Sequence, residues 1–224
     1  GLSAGQFTNN NNNFENVKVE VVENGQLVIT PRPVKLTSGS AEKVYDGQPL
    51  TNSNVADVKD GTYLGFVEGE VSEIKATGSQ TLVGESENTI SYTPVEKKFN
   101  ANNYNIEFAP GTLKVTKNEK VVVKVKGKTD TVTYDGDPHS VAGYEVDSIE
   151  IDGKATELYT KDDFEFDGQT NATGTNANTY PMGLSAGQFT NNNNNFENVK
   201  FEVVENGQLV ITPRPVKLTS GSAE

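Results

Sequence analysis

Residues 103–117, NYNIEFAPGTLKVTK, contain two short runs in which apolar and polar side chains alternate. The apolar members of the two runs are Tyr104, Ile106, Phe108, Leu113 and Val115. Alternation over four to eight residues is typical of a strand with one buried face, and the Pro-Gly step between the runs favours a turn. The stretch therefore predicts two β-strands that form a hairpin.

The same alternation recurs along the whole chain. Residues 198–214, NVKFEVVENGQLVITPR, repeat the pattern and place an Asn-Gly step where a tight hairpin needs positive φ angles. No segment has a sustained helical period of 3.6 residues. Roughly six to eight short strands in about 90 residues favour an antiparallel, immunoglobulin-like sandwich. The alternative is a β-grasp domain with one short helix, for which residues 48–70 and 150–162 have room.

A long repeat frames the chain. Residues 1–42 recur at 183–224 with a single difference, Val19 against Phe201, at an offset of 182 residues. Exposed loops would drift if only folding constrained them, so near-identity indicates a recent duplication. A period of this length predicts a tandem array.

A second, more divergent repeat lies inside the first. VKLTSGSAEKVYDG (34–47) aligns without gaps to VKVKGKTDTVTYDG (123–136). We infer two related domains, repeat A at 34–122 and repeat B at 123–215. By the same logic residues 1–33 are the C-terminal part of a preceding B-type repeat, and 216–224 are the start of another A-type repeat.

The linkers and the first 33 residues lead to two expectations about assembly. TPRPVK follows B and TKNEKV follows A, and both are short, so consecutive domains should lie end to end with little hinge freedom. An isolated hairpin is marginal in water. Residues 1–33 should therefore lie against a neighbouring molecule, complete a sheet by strand exchange, or belong structurally to repeat A.

Composition argues against several classes of function. The formal net charge is −12, which disfavours nucleic acids and anionic membrane surfaces as partners. The chain has no Cys and one His, so thiolate chemistry and Cys-ligated metals are excluded. No run of 18 apolar residues is present. No phosphate-binding loop, nucleophile elbow or Ser-His-Asp set can be assembled, and we predict that the protein is not an enzyme.

Some side chains suggest chemistry, but a structural role is the simpler interpretation of each. His139 lacks partners for a metal site or a triad and is expected in a loop. Clustered carboxylates suit calcium, yet the three in KDDFEFDG alternate with Phe164 and Phe166 and fit the solvated face of a strand. These carboxylates are Asp163, Glu165 and Asp167.

Three further features could support binding or crosslinking. The run Asn191 to Asn195 could bind a sugar through its amides, although such runs are more often solvated loops. Tyr45 and Tyr134 could stack on a ligand, but their equivalence in two divergent domains favours a packed ring whose hydroxyl caps a local turn. Lys35 and Lys124 lie on opening strands and could form isopeptide bonds. The alternation around Lys35 points it outward, so we expect no crosslink.

With these residues located, the chain resembles the YDG/MBG-type tandem repeat domains of bacterial cell-surface proteins and adhesins. The family pattern has a Tyr-Asp-Gly turn after the opening strand, an Asn-Tyr step before an Ile-x-Phe strand, and a final Gly-Thr-Leu-x-Val-Thr strand. Repeat A matches at Tyr45–Gly47, Asn103-Tyr104, Ile106, Phe108 and Gly111–Thr116; repeat B matches at Tyr134–Gly136, Asn178–Tyr180 and Gly207–Thr212. Repeat B departs by carrying Phe196 and ENV after its Asn run.

The resemblance covers the whole chain and implies a role. It implies an extracellular location on a bacterial surface, with cell-wall anchoring, and a repeat function in a stalk or adhesin. It implies no catalysis. We also expect no cofactor and no metal, and we expect neighbouring repeats as the main partners. The alternative is a binding module that recognises a glycan or a host protein.

Overall fold

A computed structural model describes residues 1–55 and 65–221. The described residues form eighteen strands, four 3-10 helices and no α-helix. The strands of repeat A are β1 (Arg32–Thr37), β2 (Ala41–Val44), β3 (Val71–Ala76), β4 (Gly84–Asn88), β5 (Ile90–Pro94), β6 (Tyr104–Ala109) and β7 (Gly111–Thr116). Those of repeat B begin with β8 (Val121–Gly127), β9 (Asp130–Thr133), β10 (His139–Ala142), β11 (Tyr144–Ile151), β12 (Lys154–Ala155) and β13 (Phe164–Phe166). They end with β14 (Asn171–Gly174), β15 (Asn178–Pro181), β16 (Phe189–Asn191), β17 (Lys200–Glu205) and β18 (Gln208–Thr212).

The 3-10 helices are Ala4–Gln6, Ala101–Asn103, Lys161–Asp163 and Ala186–Gln188. The last three are each followed directly by a buried aromatic residue that opens a strand, namely Tyr104, Phe164 or Phe189. The all-β prediction is confirmed. The candidate helix at 150–162 is absent, since that segment holds the end of β11, β12 and the first residues of a 3-10 turn. Residues 56–64 of the other candidate lie outside the described part of the chain.

Repeats A and B share one pairing scheme. β7 lies between β2 and β4, and β18 lies between β9 and β15. The registers agree as well, because Ala41 is opposite Leu113 in A and the equivalent Asp130 is opposite Leu209 in B. The pairs β1–β6 and β3–β5 likewise correspond to β8–β17 and β13–β16. The internal repeat inferred from sequence is therefore also a repeat of strand pairing.

The sheets are mixed, and the two predicted hairpins are wrong. β2–β7, β9–β18 and β8–β17 are parallel pairs, so the antiparallel expectation holds only in part. Neither β6 and β7 nor β17 and β18 are neighbours in any sheet of the described residues. A Cβ on Gly111 would lie 2.5 Å from the Gly39 oxygen, and one on Gly207 would lie 2.3 Å from the Lys128 oxygen. These glycines therefore let one backbone cross another at close range, and the chain changes sheets there.

The chain divides into two compact units. Unit 1 comprises Gly1–Leu36, Asp57–Ile74 and Tyr92–Ala109. Unit 2 comprises Thr37–Ala56, Lys75–Ser91 and Pro110–Glu224. The inferred boundary between repeats A and B, at residues 122 and 123, lies inside unit 2, and the repeat boundaries themselves stay a prediction.

Unit 1 is organised around aromatic side chains. Phe66 is buried and lies with its ring centroid 5.0 Å from that of Tyr104 and 5.3 Å from that of Tyr92. Phe99 stacks on Tyr104 at 5.5 Å. The Tyr104 hydroxyl donates to Glu70, and burial, followed by that bond, raises the pKa of Tyr104. Rings in such offset and edge geometries add to the free energy of area burial.

Unit 2 contains the core of repeat B. Its β8 alternates fully buried Val121, Val123 and Val125 with partly exposed residues, as the sequence pattern predicts. Packed on this strand is a group of aromatic and aliphatic side chains, namely Tyr159, Phe164, Leu184, Phe189 and Phe196. Phe201 of β17 also joins the group, with its ring 5.2 Å from that of Phe164.

The long repeat places one sequence in two environments. Residues 183–213 supply strands and core to B, whereas residues 1–31 contain one 3-10 helix and no strand. Leu209 is 0% exposed but its copy Leu27 is 88% exposed, and Phe196 is 2% exposed against 62% for Phe14. Burying such a side chain contributes about 1.5–3 kcal/mol. The strands of this segment therefore depend on partners that residues 123–182 provide.

Local hydrogen bonds persist in both copies. The Asn11 backbone N–H donates to Asn9 Oδ1 at 3.0 Å, and the copy, Asn193 to Asn191, has the same distance. The Ser3 N–H donates to Gln6 Oε1 just as the Ser185 N–H donates to Gln188 Oε1. Bonds that span two or three residues need no tertiary partner. Turns in this segment are therefore autonomous, whereas its strands are not.

For the sequence repeated at the C-terminal end of the chain, the first copy is buried and the second copy is exposed. Val34 and Leu36 in β1 are 3% and 0% exposed, but their copies Val216 and Leu218 are 78% and 94% exposed. The stretch VKLT thus forms a buried strand in its first copy, where β1 pairs with β6, and no strand in its second copy. No strand precedes Arg32, where β1 begins, and the three options for residues 1–33 stay predictions.

Candidate functional site at the junction of the repeats

The Tyr-Asp-Gly turn of repeat A is built by its own side chains. Asp46 Oδ1 accepts from the Gln48 N–H at 2.9 Å and from Lys43 Nζ at 2.5 Å. These bonds, that of Lys43 first, hold the pKa of Asp46 below its ordinary value. Gly47 has φ +77°, which favours a residue without Cβ. The carboxylate, and not the tyrosine hydroxyl, caps the turn.

The turn of repeat B has the same construction. Asp135 Oδ1 accepts from the Asp137 N–H at 3.0 Å, and His139 Nε2 lies 2.9 Å from the same oxygen. The bond with His139, followed by that with the Asp137 N–H, lowers the pKa of Asp135. Gly136 has φ +96°. The prediction of His139 as a loop residue is wrong, because His139 is the first residue of β10. Its partner is the carboxylate of this turn.

The turn of repeat A contacts repeat B within unit 2. The Tyr45 ring meets the Phe196 ring edge-on, with centroids 5.4 Å apart. Phe196 belongs to the B core, where it also packs on Tyr159 at 5.0 Å. A Cβ on Gly47 would lie 2.7 Å from Leu158 Cδ1. Side chains of B therefore cover both the tyrosine and the glycine of this turn.

Backbone hydrogen bonds fasten the linker after repeat A to the Asn run of repeat B. The Asn118 N–H donates to the Asn195 oxygen, and the Glu197 N–H donates to the Asn118 oxygen, both at 3.0 Å. The Asn118 side chain, which is buried, donates to the Tyr45 oxygen at 3.2 Å. In addition, the Val83 N–H donates to Asn195 Oδ1 at 3.0 Å. The linker is consequently a bonded part of the junction.

Alternate side chains of the Asn run bond to the run's own backbone, and the side chains between them are exposed to solvent. Asn191 Oδ1 accepts from the Asn193 N–H, and Asn193 Oδ1 accepts from the Asn195 N–H. The odd-numbered members are partly buried, while Asn192 and Asn194 are exposed. Successive turns of this kind fix the loop locally before it meets repeat A. The predicted solvated loop is therefore correct for the even-numbered members alone.

Two open grooves flank the contact. One has a volume of about 590 Å³ and is lined by Val44, Val83, the end of β7 and the linker. Its charges are mixed, and Lys117 lies 3.7 Å from Glu197 across it. The other has a volume of about 680 Å³ and is lined by Leu82, Val83, Lys117, Asp162, Asp163 and Asn192–195.

The acidic side chains of KDDFEFDG do not converge. Asp163 Oδ2 accepts from the Thr160 N–H at 2.6 Å and its Oδ1 accepts from Asn193 Nδ2 at 2.8 Å. Glu165 is exposed in β13 between buried Phe164 and partly buried Phe166, which confirms the solvated strand face for Glu165 alone. Asp163 is partly buried in the preceding 3-10 helix, and Asp167 follows the end of β13. Across residues 1–55 and 65–221, no group of three or more His, Cys, Asp or Glu side chains could hold a metal ion.

The two lysines considered for crosslinking pair with glutamates. Lys35 Nζ lies 2.8 Å from Glu107, and both side chains are mostly exposed, which confirms the outward orientation of Lys35. Lys124 Nζ lies 2.8 Å from Glu150, a bond that raises the pKa of Lys124 and lowers that of Glu150. The packed ring expected of the two tyrosines is confirmed for Tyr45 but is wrong for Tyr134, which is 38% exposed. The expected hydroxyl cap is wrong, because carboxylates, those of Asp46 and Asp135, cap the two turns.

Sequence reasoning missed Asn118, Val83 and Leu158. Asn118 stands in a linker that composition presents as polar and free, and Val83 and Leu158 lie in irregular segments without periodicity. The one available signal was the repeated Tyr-Asp-Gly turn itself. Its recurrence in divergent repeats points to a shared task.

Comparisons with protein-family models, with curated proteins and with solved structures find no match to this chain. The relation to YDG/MBG-type domains therefore stays a prediction carried by the motifs. In the described part of the chain no helix is both long and apolar enough to cross a membrane.

Proposed function

We propose that this chain is a structural repeat module of a long bacterial cell-surface stalk or adhesin, where it spaces a distal functional domain from the cell. The observation that carries the proposal is the junction in unit 2. There Asn118, Tyr45 and Val83 of the A side are bonded to or packed on Asn195 and Phe196 of repeat B. A spacer needs such joints, because a free linker would let successive repeats fold back on each other.

The long repeat supports the same role. A segment that forms strands only with partners from residues 123–182 suits an array in which every copy finds those partners in its own repeat. The resemblance to YDG/MBG-type domains supports an extracellular, cell-wall-anchored location and the absence of catalysis. The net charge of −12 keeps neighbouring stalks apart and disfavours nucleic acids.

Small-angle scattering tests the proposal on chains of increasing length. A doubled chain, residues 1–224 followed directly by 43–224, continues the sequence in register because 183–224 repeat 1–42. We expect its maximum dimension to be about twice that of the single chain, since stacked repeats contact only their neighbours. A compact particle of nearly unchanged length would contradict the spacer role.

A loosened variant makes the scattering test specific to the junction. Tyr45→Ala with Asn118→Ala removes the ring contact and the side-chain bond at each A-to-B joint. We expect this variant to scatter as a more flexible chain, with a broader distance distribution and retained β content by circular dichroism. An unchanged distribution would mean that these contacts do not hold the joint.

A second candidate function is recognition of a glycan or a host protein. The groove of about 680 Å³ favours it, because exposed Asn192 and Asn194 stand beside Leu82 and Asp162, a mixture of amide, carboxylate and apolar groups that suits sugars. A glycan and host-protein array screen of the chain tests this. Binding that is lost in Asn192→Ala/Asn194→Ala but kept in the matched copy Asn10→Ala/Asn12→Ala would favour this function over a passive spacer.

A further inference from the structure

We propose that the Tyr134-Asp135-Gly136 turn of repeat B is the docking site for an A-type domain that follows it. This inference rests on the proposed function, because it requires repeats in tandem. It goes beyond that function by naming the surface and its occupant. The two Tyr-Asp-Gly turns are alike in their own structure and differ in the residues that cover them.

The two turns sit at equivalent places on their sheets. The Tyr45 N–H donates to the oxygen of Thr116, the last residue of β7, and the Tyr134 N–H donates to the oxygen of Thr212, the last residue of β18. Both bonds are 2.8 Å long. Each tyrosine therefore stands where the chain leaves its repeat.

The surroundings of the two turns differ. Tyr45 packs on Phe196, and a Cβ on Gly47 would approach Leu158, so the domain that follows A covers its turn. Tyr134 is 38% exposed, and a Cβ on Gly136 would meet no described atom within 4 Å. An exposed aromatic ring beside an open glycine is a surface of the kind that the first turn uses for docking.

The length of the linker places the next domain beside Tyr134. β18 ends at Thr212, and β1 begins at Arg32, whose copy in the second long repeat is Arg214. Pro213 alone separates the two strands in a tandem chain, whereas four residues separate β7 from β8. Proline restricts φ, so the following strand starts within one stiff residue of the Thr212 oxygen that Tyr134 contacts.

The occupant is an A-type domain because the sequence after Pro215 is the start of one. Residues 216–224 are identical to 34–42, which contain most of β1 and the beginning of β2. Val216 and Leu218 are exposed here, yet the same residues are buried at Val34 and Leu36. A complete A-type domain would bury them and would bring its body next to the open turn of B.

Hydroxyl-radical footprinting with mass spectrometry tests the docking in the doubled chain described above. Tyr134→Leu is introduced in the last repeat B, so that the remaining Tyr134 belongs to the interior B and its peptide keeps a distinct mass after either peptide gains one oxygen. We expect the oxidation rate of interior Tyr134 to fall several-fold from its value in the single chain, to the level of Tyr45. Interior Tyr134 that reacts as fast as in the single chain would overturn the proposal.

Scattering of the same doubled chain separates this inference from the proposed function. An elongated particle with a reactive interior Tyr134 would refute the docking site and leave the spacer role standing. A compact particle would refute the spacer role, whatever the reactivity of Tyr134. An elongated particle with a protected Tyr134 is the result that supports both.

Discussion

The two copies of GQLVIT allow a test in which local sequence is held constant. Leu209 in β18 is 0% exposed, and its copy Leu27 is 88% exposed. Leu→Ala at a fully buried site removes the transfer free energy of the side chain and leaves a cavity, for a loss of about 3–5 kcal/mol. At an exposed site away from special features the change is within about 0.5 kcal/mol. Leu209→Ala should therefore destabilise repeat B strongly, and Leu27→Ala should leave it unchanged.

Urea titration followed by NMR isolates the response of repeat B. The amide signals of Ala172 and Ile211, which are 3% and 2% exposed and pack with Leu209 in one buried cluster of repeat B, report on that cluster. Leu209→Ala should shift their common unfolding midpoint to lower urea, while Leu27→Ala should leave it unchanged. Similar losses in the two variants would refute the reasoning, since residues 1–31 would then contribute to the B core as much as residues 183–213 do.

Three further predictions concern single interactions. Asn88 is 0% exposed, and its side-chain amide hydrogen-bonds to two backbone oxygens and one backbone N–H. Asn88→Ala should therefore lower the free energy of unfolding of unit 2, measured by urea titration, by about 3 kcal/mol. A loss below about 1 kcal/mol would contradict this prediction. The bond from Lys124 lowers the pKa of Glu150 from its ordinary value of 4.5. The stabilisation by this ion pair is therefore complete above pH 4.5 and is lost as the pH falls through the lowered pKa of Glu150. The fall in urea stability on acidification below pH 4.5 should be shallower in Glu150→Gln, and equal slopes would contradict the assignment. Lys35 and Lys124 pair with glutamates, so intact-mass spectrometry should give the mass of the sequence, and a deficit of one ammonia or one water would reveal a crosslink.

The strands and their buried faces could be predicted because side-chain alternation is a local property. Leu113 and Val115 alternate with polar residues in sequence and are 0% and 1% exposed in β7. The same holds for the valines of β8. A period of two residues records which face a strand buries, whichever strand pairs with it.

The strand partners could not be predicted from the same pattern. The Pro-Gly and Asn-Gly steps favour hairpins locally, but β6 and β7 belong to different sheets. The reason is the close approach of Gly111 to Gly39, two residues far apart in sequence. Gly111 lies where two backbone segments approach each other closely, and the sequence alone does not distinguish this use of glycine from a turn.

The candidate site was half visible in the sequence. The duplicated Tyr-Asp-Gly turn is visible in the sequence, but the role predicted for it, a packed tyrosine ring whose hydroxyl caps the turn, is wrong for Tyr134 and correct only in the packed ring for Tyr45. The sequence did not reveal the hydrogen bond between Asn195 and Val83, which are 112 residues apart. Each is unremarkable alone, and only the folded chain brings them together.

Hydrogen exchange at Val83 tests most directly the claim that the Asn run of repeat B holds repeat A in place. The Val83 N–H donates to Asn195 Oδ1 at 3.0 Å, so this amide should be protected in the wild-type chain. Asn195→Ala should abolish its protection while amides of β7 and β18 keep theirs. The matched variant Asn13→Ala, in the exposed copy, should change nothing. A Val83 amide that exchanges equally fast in the wild type and in Asn195→Ala would contradict the account.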